Sequence, residues 1–266
     1  MLPFRPDIQF SIGPGPGRYG RECMRRRSPY SELRIKRLTV KRRLGILLLL
    51  YLAYEITTGV FLAPYRVGSL SMSPTLSPGD RVLAFPLAFG PRSALFRRPL
   101  KGISDPRRGD LVLLEAPFHE RDPWYREAAD SIVRFFTFQQ VSLSKSRDRL
   151  NGLSIKRVVG IPGDSLYMKG NEVYVKVSGN PHYLTEYEVS GRVYEASGGG
   201  MPEGWPESLP LSGAYPETTL GEGQYFVLGD NRTGALDSRA YGPVDRSRFR
   251  ARIILRYWPF GSFGIP

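Results

Sequence analysis

Twenty consecutive residues, Leu44 to Ala63 (LGILLLLYLAYEITTGVFLA), carry a single charge, Glu55. Wound as a helix at about 1.5 Å per residue, such a run covers the ~30 Å of a bilayer's hydrocarbon core. It has no polar face, so it cannot sit half-buried on a globular domain. It also exceeds the ~7–15 apolar residues of a cleavable signal peptide. Pro64 follows it, and Lys41, Arg42 and Arg43 precede it. Before Leu44 there are twelve Lys and Arg against Asp7, Glu22 and Glu32, which places +9 of the chain's net +13 on one side of the apolar run. Cations stacked there mark the cytoplasmic flank. The expectation is one uncleaved membrane helix over 44–64 in the cytoplasmic (inner) membrane. Residues 1–43 form a basic, irregular cytoplasmic tail against anionic headgroups, and 65–266 form an extracytoplasmic domain. The same placement argues against a nucleic-acid partner, which the basic surplus alone would suggest. Glu55 is either neutral or faces a partner helix.

Residues 65–266 read as mostly β. Short runs of strand composition are Arg81–Phe85, Leu111–Leu114, Ile155–Ile161, Ser165–Met168, Glu172–Val177, Gln224–Leu228 and Ala251–Trp258. Four Gly-Asp pairs, at 79–80, 109–110, 163–164 and 229–230, adjoin these runs without a common period, as recurrent turn chemistry rather than a repeat. The Gly-, Pro-, Ser- and Glu-rich stretch 178–222 reads as an irregular insertion. Stretches 84–100 and 132–141 mix aromatics with arginine, either as core or as a surface dipping into the bilayer interface.

The chemistry on offer is narrow. Cys23 is the only cysteine, so neither an intrachain disulfide nor a cysteine metal cluster can form. No metal or organic cofactor is implied. The two histidines, His119 and His182, read as loop residues rather than members of a triad. Gly15 to Gly20 has dinucleotide-fingerprint spacing, but a proline lies inside it and no strand precedes it. Two segments remain: the serine-rich run Val67–Leu76 (VGSLSMSPTL), just past the apolar helix, and Ile155–Asp164 (IKRVVGIPGD). In a strand, Lys156 and Arg157 point to opposite faces, so one of these cations meets the core. Burial disfavours a lysine's charge, and a neutral lysine can take the proton of a serine hydroxyl.

Four blocks appear in order after the apolar helix: S-x-S-M-x-P-T-L at 69–76, G-D-L-V-L at 109–113, K-R-V-V-G-I-P-G-D at 156–164, and G-D-N-R…D-S-R…G-P-V at 229–244. In these the chain resembles the type I signal peptidases (leader peptidases). The resemblance implies a membrane-bound serine endopeptidase that removes signal peptides from exported preproteins. Ser71 would be its nucleophile and Lys156 its general base. Ser69 and the Ser71 backbone N–H would form the oxyanion hole, and Val67, Met72, Leu76 and Ile155 would line shallow apolar pockets. Asp230, Asp237 and Arg239 would be structural ion-pair and turn residues, which also explains Asn231-Arg232-Thr233 better than a glycosylation sequon does. One position departs from the pattern. Where the family often has a hydroxyl that helps aim the lysine, this chain has Ala235, leaving Thr233, Ser154 or Ser238 as substitutes. A membrane-tethered binding module with the same fold and no activity is the alternative.

Overall fold

In the computed structural model the apolar run is helical, and the helix starts well before it. Helix α1 spans Pro29–Ile56, continues as a π-helical turn over Thr57–Phe61, and gives way to strand β1, Ala63–Arg66. Residues 29–43, expected to be irregular, are therefore helical. Their Glu, Leu, Arg and Lys are strong helix formers, and charge alone does not break a helix. The segment Thr39–Phe61 is long and apolar enough to cross a membrane once, consistent with a single-pass anchor. The structure describes residues 29–91, 100–117, 123–137, 141, 143, 152–198 and 213–266. The chain divides into two units, Met1–Leu47 and Leu48–Pro266. The Gly15–Gly20 run, Cys23, His119, and parts of 84–100, 132–141 and 178–222 lie outside the described residues.

Beyond β1 the elements are β2 (Arg81–Phe85), β3 (Leu111–Glu115), α2 (Trp124–Phe136), β4 (Leu153–Gly160), β5 (Ser165–Lys169) and β6 (Glu172–Lys176). They continue with β7 (Leu184–Thr185), α3 (Glu186–Ser190), β8 (Tyr215–Thr219), β9 (Gln224–Leu228), α4 (Ser238–Tyr241), β10 (Val244–Asp245) and β11 (Phe249–Trp258). A seven-stranded sheet runs β1-β2-β11-β3-β4-β9-β10, and a four-stranded one β7-β6-β5-β8, with every pair antiparallel. The mostly β expectation holds. The stretch 178–222 is less irregular than its composition suggests, because β7, α3 and β8 fall inside it. Helix α3 starts on a capping box in which Thr185 and Glu188 satisfy each other's backbone N–H groups.

Side-chain alternation explains why the large sheet is buried on both faces. In β3, Leu111 and Leu113 join one apolar cluster with Val67, Met72, Leu76, Val82, Ala84, Ile155, Ala251 and Ile253. Val112 and Leu114 join another with Val158, Val227 and Phe249. A strand covered on both sides reads as a continuous apolar run, as LVLLE does. A third cluster, including Val159, Leu166, Val175, Phe226 and Leu228, joins β4 and β9 to the small sheet.

Three of the four Gly-Asp pairs make the same turn. Gly79, Gly109 and Gly163 have positive φ. Each following aspartate accepts a hydrogen bond from the backbone N–H three residues earlier: Ser77 to Asp80, Arg107 to Asp110, and Ile161 to Asp164, each at 3.0 Å. The fourth pair, Gly229-Asp230, is built differently and belongs to the candidate site.

Candidate active site

The serine-rich loop leaves β1 and folds into a single 3-10 turn, Leu70–Met72, packed against β4. Met72 and Leu76 hold this turn down by entering the apolar cluster that also contains Ile155 of β4. Ser71, between exposed Leu70 and buried Met72, is half-exposed, with its hydroxyl 3.0 Å from that of the exposed Ser69. The loop's backbone is clamped from the segment after β9. The Asn231 N–H donates to the Ser71 carbonyl (3.2 Å) and its side-chain amide to the Leu70 carbonyl (3.2 Å). The Asn231 side-chain oxygen accepts from Thr233 and from the Gly234 N–H, so this side chain is committed to the turn.

Gly229 is required by close approach. A Cβ built there would lie 2.3 Å from the Ala235 Cβ and 2.5 Å from the Ser71 carbonyl oxygen. The nucleophile candidate's own backbone thus passes over this glycine.

Lys156 and Arg157 are both buried, whereas the strand pattern demanded only one. They meet that burial in opposite ways. The Arg157 guanidinium makes a bidentate pair with Asp230, at 2.8 and 2.7 Å, donates to the Gly109 carbonyl and lies 3.8 Å from the centre of the Tyr194 ring. Asp230 also accepts from the Thr75 hydroxyl at 2.6 Å, which ties the arginine to the serine loop. An arginine stays charged, so its burial is tolerable only when it is paired in this way.

Lys156 is 3% exposed. Burial, first, lowers its pKa from 10.5 to about 8; Asp237 and Asp230 oppose the shift and Arg239 assists it. Burial prevails because each nearby carboxylate brings its own guanidinium. Asp230 is paired with Arg157, and Asp237 with Arg239 at 2.9 and 2.8 Å. The lysine therefore sits in a nearly neutral field, and loss of water decides the balance.

Asp237 also caps α4 by accepting from the Arg239 N–H, and it accepts from the Gly229 N–H at 3.0 Å. Among the described residues no hydroxyl is hydrogen-bonded to Lys156. Thr233 donates to Asn231, Ser238 accepts from the Val227 N–H at 3.0 Å, and Ala235 is fully buried. Ser154 is a half-buried β4 residue opposite Leu114.

A profile of the family described as signal peptidase, peptidase S26, matches residues 40–258. The chain belongs to that family. Among curated relatives, signal peptidase IB of Staphylococcus aureus is 32% identical over 110 residues, covering 41% of this chain and 55% of that protein. The match thus spans about half the length of the Staphylococcus relative. Signal peptidase I of Bacillus licheniformis is 26% identical over 219 residues, 82% of this chain and 88% of that protein. A crystal structure of signal peptidase I from Enterococcus faecalis V583 aligns with a TM-score of 0.31 at 23% identity, covering 57% of this chain and 98% of that one.

Seen within the family, the fold brings the sequence-derived residues together unevenly. The Ser69 and Ser71 hydroxyls lie 3.0 Å apart, Ser71 is held through Asn231 beside Asp230, and Asp237, Arg239 and Asp230 act electrostatically on Lys156; among the described residues no hydrogen bond joins Ser71 to Lys156. Val67, Met72, Leu76 and Ile155 also meet, but as members of the buried cluster under the serine loop, with at most 5% of each exposed. The exposed His182 follows β6, and its backbone N–H donates to Asn180.

Several contributors carried no sequence signal. Glu186 of α3 forms a buried ion pair with Arg232 at 2.7 Å and accepts from the Tyr194 hydroxyl at 2.7 Å. Burial, first, and then Glu186 push the Tyr194 phenol far above its ordinary pKa, so it remains a donor. Ser197 accepts from the Arg232 N–H, donates its own N–H to the Asp230 carbonyl, and donates its hydroxyl to the Ser73 carbonyl. These residues come from the segment that reads as an insertion. Their pairing partners lie tens of residues away, so only the fold reveals them.

Proposed function

We propose that this chain is a membrane-bound serine endopeptidase that cleaves signal peptides from preproteins, with Ser71 as nucleophile and Lys156 as general base. The observation that carries the reading is Lys156: a buried lysine with a pKa lowered to about 8, on the strand against which the Ser71 turn packs. A lysine of pKa 10.5 is almost wholly protonated near neutral pH and cannot accept a proton. At about 8 a sizeable fraction is neutral.

The neutral amine takes the Ser71 Oγ proton as that oxygen attacks the scissile carbonyl. The resulting ammonium then protonates the departing amine, and the acyl-enzyme is hydrolysed by water activated by the same lysine. The Ser69 hydroxyl and the Ser71 backbone N–H stabilise the oxyanion, each such donor being worth about 3 kcal/mol of barrier. Asp230, Asp237 and Arg239 act as structural supports, holding the turn and the lysine's neutral surroundings. Val67, Met72, Leu76 and Ile155, expected as pocket-lining residues, support the Ser71 turn from beneath instead, because Leu76 and Met72 are 0% and 1% exposed and leave no surface for a cleavage site. No step needs a metal or organic cofactor.

The test is cleavage of a preprotein by the purified full-length protein. Ser71→Ala and Lys156→Ala are each expected to abolish cleavage, and the double variant to be no worse, because residues acting as one unit are not additive. Substantial activity in either single variant rejects the dyad. The proposed orientation has residues 1–43 cytoplasmic and 65–266 extracytoplasmic, and it is supported by the +9 flank. Protease added outside sealed spheroplasts should digest the catalytic domain and spare a tag at Met1. The reverse pattern would remove the domain from exported substrates.

A further inference from the structure

Glu55 lies within the apolar span, yet it is only 6% exposed. Its cover is α2. The Ser131 hydroxyl of α2 donates to the Glu55 carboxyl and lies 2.7 Å from the Tyr51 hydroxyl. Phe135 of α2 packs edge-on against Tyr51 and Tyr54, with ring centres 5.5 and 5.3 Å apart. These contacts sit inside the span, not beyond it. At about 1.5 Å per residue, Glu55 and Tyr51 are roughly 9 and 15 Å short of the end of the span at Phe61.

The helix pinned at that depth is inside-out. Asp130, Ser131, Arg134 and Phe135 form its inner side. Asp130 pairs there with Arg134 at 2.8 Å and accepts from the Leu143 N–H at 2.6 Å. Tyr125, Ala129, Ile132 and Phe136, spaced i, i+4, i+7 and i+11, form one exposed face. Tyr125, Ile132 and Phe136 are 58%, 48% and 61% exposed. A water-facing helix has its apolar stripe turned inward. Polar groups turned inward, Ser131 onto Glu55 and Asp130 beside Arg134, with apolar groups turned outward, are what a hydrocarbon solvent selects.

We propose that α2 is a membrane-embedded helix whose Tyr125/Ala129/Ile132/Phe136 face contacts lipid acyl chains, beside the span and in its leaflet nearest Phe61. The occupant is lipid because α2 is pinned to the span at Tyr51, Tyr54 and Glu55, next along the chain to Leu48, Leu49 and Leu50, whose own exposed apolar side chains need the same solvent. At thirteen residues, about 20 Å, α2 is too short to cross the bilayer. It enters and stays on one side, shielding Glu55 from lipid. This inference rests on the reading of Thr39–Phe61 as a membrane span.

The test uses the full chain with Cys23→Ser, reconstituted in phosphatidylcholine/phosphatidylglycerol vesicles. An environment-sensitive fluorophore is attached through Ile132→Cys or, separately, Phe136→Cys. Leu49→Cys reports the span, and Val193→Cys, a fully exposed position, reports water. Labels at Ile132 and Phe136 should lose most of their fluorescence to lipids carrying an acyl-chain nitroxide, as at Leu49, and little to aqueous iodide. Quenching by iodide as at Val193, with Leu49 still lipid-quenched, overturns the inference while leaving the span intact. Protection from both quenchers means that protein, whether a second copy or a bound preprotein, covers the face, and this also overturns it. Absence of lipid quenching at Leu49 removes the span and the inference together.

Discussion

If Lys156 is the base, pH should control the rate through one group whose environment is known. The fall from 10.5 to about 8 corresponds to about 3 kcal/mol of penalty on the charged form. At pH 7.5 a group of pKa 8 is about 24% neutral, against about 0.1% for an unperturbed lysine, so burial supplies roughly two orders of magnitude in competent enzyme. Because the active form is the deprotonated one, kcat/KM must rise with pH. A group of pKa about 8 is ~1% neutral at pH 6 and about 90% neutral at pH 9, a gain of roughly ninety-fold with unit slope below the inflection. A continuous assay with a fluorogenic peptide spanning a small-residue cleavage site would measure this, with circular dichroism at each pH to establish folding. Asp237 is the largest influence opposing the shift, so Asp237→Asn should move the inflection to lower pH. That variant should also lose stability, by about 3–5 kcal/mol, because the buried Arg239 loses its partner. A rate that falls from pH 6 to 9 in folded enzyme, an inflection at 10 or above, or an inflection moved upward in Asp237→Asn would each refute the argument.

Two further predictions test the surroundings of the dyad. Gly229→Ala should fold but lose most of its kcat, because the added methyl meets the Ser71 carbonyl, a backbone atom that cannot swing aside as a flexible side chain can. Wild-type kcat in that variant would show that the loop position is not critical. Ala235→Ser should be folded and active, with kcat/KM equal to or up to about tenfold above wild type, since one added hydrogen bond to the amine is worth on the order of 1 kcal/mol. Thr233 bonds Asn231 rather than the lysine, so Thr233→Val should cost the same in both backgrounds. A greater loss in wild type than in Ala235→Ser would reinstate Thr233 as the lysine's support.

The sequence by itself determined what depends on local pattern. The apolar run Leu44–Ala63 could only be a helix in a low-dielectric environment, and the alternation and apolar runs of β2, β3, β5, β6 and β9 placed those strands to within a residue or so. The adjacent cations Lys156-Arg157 on a strand required that at least one be buried, because successive side chains take opposite faces. Tertiary structure decided what each cation became. Arg157 is held charged by Asp230 and Tyr194, whereas Lys156 is left among already paired charges where burial favours its neutral form. Tertiary structure also gave Glu55 a partner in Ser131, 76 residues away and on a helix with an exposed apolar face. Periodicity can show that a side chain has a face. Which distant element covers that face, and so whether a buried charge is paired, neutralised or aimed, is set only when the chain closes on itself.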